Sequence, residues 1–240
     1  MDNKQKKIIE MFDDIAPSYD LANRVLSLGI DIKWRKEACK KSLELQPNKN
    51  LIIADIACGT GDMILHWQNF TRDKNVKFIG VDPSSGMLEI AKKKLQNTDQ
   101  KNQVELFLAQ AQDLSVIASN SVDILSIAYG IRNVVDINKA FQEFARVLKQ
   151  NGVLVILEFT KKQKKNILDS LMGFYTKKIL PFIGGIISKN YAAYQYLPDS
   201  IEDFLSTEVL ASKLEKEGFN IHSVKSYSAG ISTLIIAIKR

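Results

Sequence analysis

Short runs of consecutive apolar residues alternate along the chain with longer segments whose apolar positions recur every three or four residues. The short runs lie at Leu51–Ile56, Lys77–Val81, Val104–Ala109, Val122–Ala128 and Gly152–Phe159. Continuous apolar runs of that length suit strands covered on both faces. Between them, Gly61–Phe70, Ser84–Gln96 and Ile137–Lys149 carry helical spacing. Strand and helix in alternation predict an α/β fold, a parallel sheet with helices on both faces and right-handed crossovers.

The two ends of the chain depart from this rhythm. Residues 1–50 are polar and helical: Lys4–Phe12, an interruption at Pro17, Leu21–Leu28, a break at Gly29, then Trp34–Leu45 up to Pro47-Asn48. They are expected to form a helical cap on a main domain spanning 51–240. Past Phe159 the alternation stalls, and residues 160–200 are expected to form an insertion. Its apolar stretch Ile167–Ile187 holds Asp169, Lys177, Lys178, Pro181 and Gly184-Gly185. Those residues argue against a membrane span, leaving a lid over an apolar ligand or ordinary core packing. Glu208–Glu217 predicts a helix closed by Gly218. Phe219–Tyr227 and Ser232–Ile238 predict a hairpin, its last strand antiparallel and at or near a sheet edge.

Charge refines the picture. The net charge is +6, and the excess sits in residues 1–50, with 10 basic against 8 acidic, and in 151–200, with 7 against 3. A nucleic-acid reader carries a stronger basic stripe, so no nucleic-acid partner is expected. The run Lys161, Lys162, Lys164, Lys165 reads either as a solvated linker or as a group drawn to an anionic membrane surface. Cys39 and Cys58 with His66 and His222 lack metal-ligand spacing. Met1–Lys7 offers no apolar leader, so a reducing cytoplasm is the expectation.

The candidate chemistry follows the first strand. Asp55-Ile56-Ala57-Cys58-Gly59-Thr60-Gly61-Asp62 forms a strand-to-helix turn whose glycines let the backbone approach a ligand. Ile64 stands where a dinucleotide fingerprint needs its third glycine. Asp55 and Asp62 would repel a pyrophosphate and accept a sulfonium with an ammonium group. Asp82, 21 residues beyond Gly61, can accept both hydroxyls of an adenosine ribose, in either a nicotinamide site or an S-adenosylmethionine site. Gln110-Ala111-Gln112-Asp113 ends the third strand, where side chains can meet an adenine edge.

Together these segments resemble the class I S-adenosylmethionine-dependent methyltransferases. A narrower match appears in Phe12-Asp13-Asp14-Ile15-Ala16-Pro17-Ser18-Tyr19-Asp20, Asn23, Ser27-x-Gly29-Ile30 and Trp34-Arg35. It continues in Ala128-Tyr129-Gly130-Ile131-Arg132-Asn133-Val134, Arg146–Lys149 with Gly152, Leu157–Phe159, Pro181-x-Ile183-Gly184 and Tyr194-x-Tyr196-Leu197 with Ser200-Ile201. These resemble the signatures and lid region of the UbiE/MenG family over nearly the whole chain.

The resemblance implies a Rossmann-like, mostly parallel sheet of about seven strands with an antiparallel last strand, a helical cap and a lid. It implies S-adenosylmethionine as cofactor, held by Asp55, Gly59, Thr60, Gly61, Asp82, Gln110, Ala111 and Ala128. It implies methyl transfer to a ring carbon of demethylmenaquinol or of a polyprenyl benzoquinol precursor of ubiquinone. The acceptor carbon becomes nucleophilic once its neighbouring hydroxyl ionises, for which Arg132, Asn133, Tyr19 and Asp20 are candidates. Arg132 also reads as a structural ion pair, and Tyr19 and Asp20 as cap packing. The chain departs from the family at Cys58 for a glycine, Ala128 for a serine, Asp31 for a histidine and Gln110 for an asparagine. A nicotinamide oxidoreductase or another small-molecule methyltransferase is the alternative. Transient contact with an anionic membrane and a homodimer complete the expectations.

Overall fold

The computed structural model of the chain describes residues 3–99, 103–161 and 190–240. Seven strands form one sheet: β1 (Asn50–Ile56), β2 (Asn75–Asp82), β3 (Val104–Leu108), β4 (Val122–Ala128), β5 (Leu148–Phe159), β6 (Phe219–Tyr227) and β7 (Ser232–Lys239). Their order is β3-β2-β1-β4-β5-β7-β6. All neighbours pair in parallel except β7, which runs antiparallel to both β5 and β6. The last strand therefore lies one place in from the edge, and β6 forms the edge itself.

Alternation along the strands splits the core in two. Ile53, Ile124, Val155 and Ile236 face α2 (Ile30–Glu44), α3 (Asp62–Phe70) and α4 (Ser85–Leu95), whose Trp34, Ala38, Cys39, Met63, Trp67 and Ala91 pack there. Ala54, Leu125, Ile156 and Ile235 face α5 (Ile137–Val147) and α7 (Thr207–Lys216), which bring Phe141, Phe144, Leu210 and Leu214. Ser84, Asp136 and Ser206 cap α4, α5 and α7 by accepting a backbone N–H of the first turn. Residues 1–50, expected as a cap of three helical stretches, form two helices, of which α2 joins a layer of the main body.

The other helix, α1 (Asn3–Leu26), runs unbroken through Pro17, where the sequence predicts an interruption. Proline in a helix interior forfeits a hydrogen bond and costs ~3 kcal/mol. Ile15, Ala16, Ala22 and Leu26 are buried with Met87 of α4 and Ala193 of α6 (Tyr191–Glu202). Burial of large apolar side chains contributes ~1.5–3 kcal/mol each, enough to offset the defect. A second difference is at α5, which stops at Val147 rather than Lys149. Leu148 already pairs with Val122, and β5 absorbs Asn151 (φ 61°) as an irregularity in register.

The apolar stretch Ile167–Ile187 and the lysines 162, 164 and 165 fall outside the described residues. Among those described, no helix is long and apolar enough to cross a membrane, and no histidine, cysteine and carboxylate group could hold a metal.

Candidate active site

Strand order reverses between β1 and β4, and the crevice beyond their carboxyl ends is where open α/β sheets bind ligands. The backbone there is strained. Ala57 (φ 51°) after β1 and Tyr129 (φ 62°) after β4 both hold left-handed conformations, at ~1–3 kcal/mol each. The two turns nearly touch: a Cβ on Gly130 would lie 2.4 Å from that of Ala57, so only glycine fits. Gly59 (φ 55°) turns the loop into α3, and a Cβ added there would meet no atom within 4 Å. Glycine at 59 leaves the backbone open toward the crevice.

Asp82 closes β2 and ties the loop to it. Its Oδ2 accepts Gly59 N–H at 2.8 Å and its Oδ1 accepts Ser84 N–H at 2.9 Å. Burial pushes its carboxyl up to about 6 against these two bonds. Asp55, 2% exposed, accepts Ser126 Oγ at 2.6 Å, and that hydroxyl in turn accepts Trp67 Nε1–H at 3.0 Å. Burial pushes Asp55 up to about 7, with the Ser126 bond and Arg35 opposing. Two buried carboxylates poised near neutrality make a site receptive to a cation.

Three neighbouring spaces open here. The first lies between α1 and the strand ends, bordered by Gly59, Asp82, Gln110, Ala111, Ala128 and Tyr129. The second lies between α1, α2 and α6, bordered by Phe12, Ile15, Trp34, Arg35, Arg132 and Phe159. A small polar third space sits over the loop, bordered by Arg35, Asp55, Ala57, Gly59, Thr60 and Ala128. Tyr19 lines all three. Its phenol is pushed up by burial, with Arg132 and a hydrogen bond to Asn23 opposing.

Of the residues suspected of chemistry, the structure brings Tyr19, Arg132 and Asn133 to these spaces. Arg132 is deeply engaged: Nη1 donates to Glu158 Oε1 at 2.7 Å and to Tyr129 O at 2.7 Å, and Nε to Ser200 Oγ at 3.3 Å. Its guanidinium also stands 5.5 Å from the Phe159 ring centre. Asn133 Oδ1 accepts Tyr196 Oη–H at 3.0 Å. Asp20 lies elsewhere and borders none of the three spaces. It accepts Thr60 Oγ1 and Lys94 Nζ at 2.5 Å each, while Lys94 also reaches Asp62 at 2.8 Å. Asp20 is thereby part of what fastens α1 to the loop. Gly61 packs under Leu95 and likewise borders none of these spaces.

Sequence reasoning passed over several participants. Asp13 Oδ1 accepts Ser84 Oγ at 2.6 Å and Gly86 N–H at 2.8 Å, so α1 supplies a carboxylate to the start of α4. Arg24 bridges Asp31 (2.9 Å) and Asp62 (2.7 Å). Arg35, whose Nε lies 3.4 Å from Asp31, stands over the Tyr129 ring. The signal for Arg35 was present: Asp31 and Arg35 are four apart on one helix face. Nothing in the sequence announces Lys94, whose partners lie 32 and 74 residues away.

A doubly wound sheet with one reversed strand, a glycine turn after β1 and a carboxylate ending β2 define the class I methyltransferase fold. A solved S-adenosylmethionine-dependent methyltransferase from Aquifex aeolicus shares it, with TM-score 0.58 at 16% identity over 84% of this chain and 89% of that one. The chain belongs to the ubiE/COQ5 methyltransferase family, whose model matches residues 1–239. It is 55% identical to the ubiquinone/menaquinone biosynthesis C-methyltransferase UbiE of Campylobacter jejuni subsp. jejuni serotype O:23/36, across 98% of this chain and 99% of that protein. It is 37% identical to the demethylmenaquinone methyltransferase of Thermotoga maritima, across 92% of each. The nicotinamide alternative falls away with this membership.

Proposed function

We propose that the protein transfers a methyl group from S-adenosylmethionine to a ring carbon of a polyprenyl quinol precursor. The acceptor is demethylmenaquinol, a 2-polyprenyl-6-methoxy-benzoquinol of ubiquinone biosynthesis, or both. The observation that carries this reading is the junction at Tyr19, where a space rimmed by Asp82, Gln110 and Ala111 meets one walled by aromatic and aliphatic side chains.

The residues fit the cofactor. Each oxygen of Asp82 accepts one backbone N–H and keeps a second lone pair for a ribose hydroxyl. Gln110 and Ala111 border the place for adenine, and Ala128, without a hydroxyl, offers shape alone. Asp55, Asp62 and Asp82 give the loop the negative potential a sulfonium needs. When bound, the cofactor supplies an electrophilic methyl group. The chain's own residues do the rest. Arg132 presents fixed positive charge to the acceptor space, lowering the cost of ionising a ring hydroxyl whose free pKa is near 10. Asn133 and Tyr19 orient that hydroxyl and hold the ring in line. Asp20, through Thr60 and Lys94, positions the cap that carries Tyr19.

The quinol tail lies in a bilayer, so the protein acts as a cytoplasmic enzyme docking reversibly on the membrane. Lysines 161, 162, 164 and 165 supply the electrostatic part, and Ile179, Phe182, Ile183, Ile186 and Ile187 the apolar part. A homodimer is compatible with this arrangement. The direct test is the purified protein with S-adenosylmethionine and a demethylmenaquinol: the product gains the mass of one methylene. Absence of that product with both acceptors present refutes the reading. Co-sedimentation with anionic and neutral vesicles tests docking, and equal binding to both removes its electrostatic part.

A further inference from the structure

We infer that the turn between α1 and α2 is a membrane-insertion tip: Leu21, Val25, Leu28 and Ile30 enter the acyl region of an anionic bilayer, and Lys33, Lys36 and Lys40 meet its headgroups. This rests on the acceptor being a lipid quinol, and it names the element that holds the acceptor space against the bilayer.

The end of α1 is built for glycine and carries leucine. Leu28 N–H donates to Val25 O and Gly29 N–H donates to Arg24 O, each at 3.2 Å. These are the two bonds of a Schellman turn, and Leu28 fills the position where that turn usually has glycine. Its φ is 51°, a left-handed conformation that a branched side chain rarely adopts. Nor does the leucine fill a core, since it is 88% exposed. Glycine or asparagine would relieve the backbone and suit water. The apolar surface of Leu28 points to a partner outside the chain.

Leu28 does not stand alone. Leu21 is 62% exposed, and Val25 and Ile30 are exposed as well. Leu21, Val25 and Leu28 recur at four and three residues, one stripe along α1, whereas Ala22 and Leu26 are buried in the cluster with Met87. Of ten exposed large hydrophobics among the described residues, these four fall within residues 21–30. Such clustering marks an interaction surface.

The surroundings select the partner. Lys33, Lys36 and Lys40 follow on the exposed side of α2, from one turn beyond Ile30. The acids around the turn are already answered: Asp31 and Asp62 by Arg24, Asp20 by Lys94, and Glu37 by Lys41 and Lys225. The three lysines are left without an ion pair among the described residues. An apolar tip followed by free cations suits an anionic lipid interface. A two-fold contact through the tip would instead set the lysines of two copies side by side, like charge against like. The place also fits a lipid acceptor. Leu26, Ser27 and Asp31 of the same turn border the acceptor space. With Leu28 in the bilayer, a polyprenyl tail passes from acyl chains to that space without crossing water.

Vesicle flotation and acyl-chain quenching test this. On vesicles of phosphatidylcholine with phosphatidylglycerol, Leu28→Asn is expected to bind ~10-fold more weakly, the scale of one leucine side chain leaving an apolar phase. Asparagine suits the left-handed turn, so the melting temperature is expected not to fall. Lys33→Gln, Lys36→Gln and Lys40→Gln together are expected to lose ~100-fold on these vesicles and nothing on phosphatidylcholine alone. Fluorescence of Leu28→Trp is expected to be quenched by lipids brominated on the acyl chain, and that of Val209→Trp, on α7 in the opposite layer, is not. Trp34 and Trp67 are buried and set the baseline. Unchanged binding of Leu28→Asn, or no quenching at residue 28, overturns the inference. So does loss of a dimer in Leu28→Asn with vesicle binding kept, which assigns the stripe to a second copy. The acceptor reading fails separately: a wild type that inserts into vesicles yet methylates no quinol refutes that reading alone.

Discussion

Arg132 and Glu158 form an ion pair of 2.7 Å in which the side chains are 7% and 0% exposed. Glu158 Oε2 additionally accepts the Arg132 backbone N–H at 3.2 Å, and Oε1 that of Phe159 at 2.7 Å. Breaking one side of such a pair strands a buried charge and costs ~3–5 kcal/mol. Arg132→Ala is therefore expected to lower both thermal stability and turnover. Arg132→Ala combined with Glu158→Ala is expected to recover much of the melting temperature and none of the turnover. Joint recovery in melting scans and steady-state rates would make Arg132 purely structural.

Asp82 links the loop, the next helix and the proposed ribose site. Asp82→Ala is expected to weaken S-adenosylmethionine binding by ~1.5–3 kcal/mol, the worth of hydrogen bonds to a charged group. Asp82→Asn preserves size and is expected to lose less. Unchanged calorimetric affinity in a folded Asp82→Ala protein removes Asp82 from the site.

Protonation gives a third handle. Burial raises Asp55 from 3.8 to about 7 and Asp82 to about 6. A raised carboxyl pKa favours the folded state while the group is protonated. Their contribution to the free protein's stability is accordingly full below about pH 4 and is lost as pH rises to about 7. A cationic ligand prefers the ionised carboxylates, so binding is expected to release protons and to tighten from pH 5.5 to 8. Titrations in buffers of different ionisation enthalpy count those protons. Proton uptake, or affinity independent of pH, contradicts the assignment of Asp55 and Asp82 to a cation site.

The fastening of α1 is testable apart from the chemistry. Lys94 Nζ holds Asp20 and Asp62, and these pairs are a quarter to a third exposed. Their strength is reduced by solvent and salt. Lys94→Met is expected to speed amide exchange in α1 and raise KM, while the melting temperature moves little. Unaltered exchange in α1 means the apolar contacts around Ile15 and Met87 hold the cap alone.

Much of the sheet was legible because each central strand is a continuous apolar run, and only a strand buried on both faces needs one. The crevice beyond the strand ends was legible in part: Gly59 and Asp82 border it, whereas Gly61 packs under Leu95. Other features depend on partners distant in sequence. Trp34–Leu45 reads as an amphipathic helix of a cap, yet its Ala38 and Cys39 are fully buried in the core against the sheet. Pro17 marks a break by local rule, and tertiary burial overrides it. Asp20 falls within a family signature, which says that the residue matters but leaves open whether it reaches a ligand or Lys94.

The placement of β7 bears on how the chain comes to be folded as it leaves the ribosome. β7 is made after β6 yet is inserted between β5 and β6, so β5 has an open edge until residues 232–239 emerge. Unpaired apolar edges invite pairing with other chains. Emergence of β7, rather than completion of the ligand crevice, then sets the moment at which the β5 edge is covered in the nascent chain. A chain interrupted before residue 232 leaves that edge of β5 without its partner.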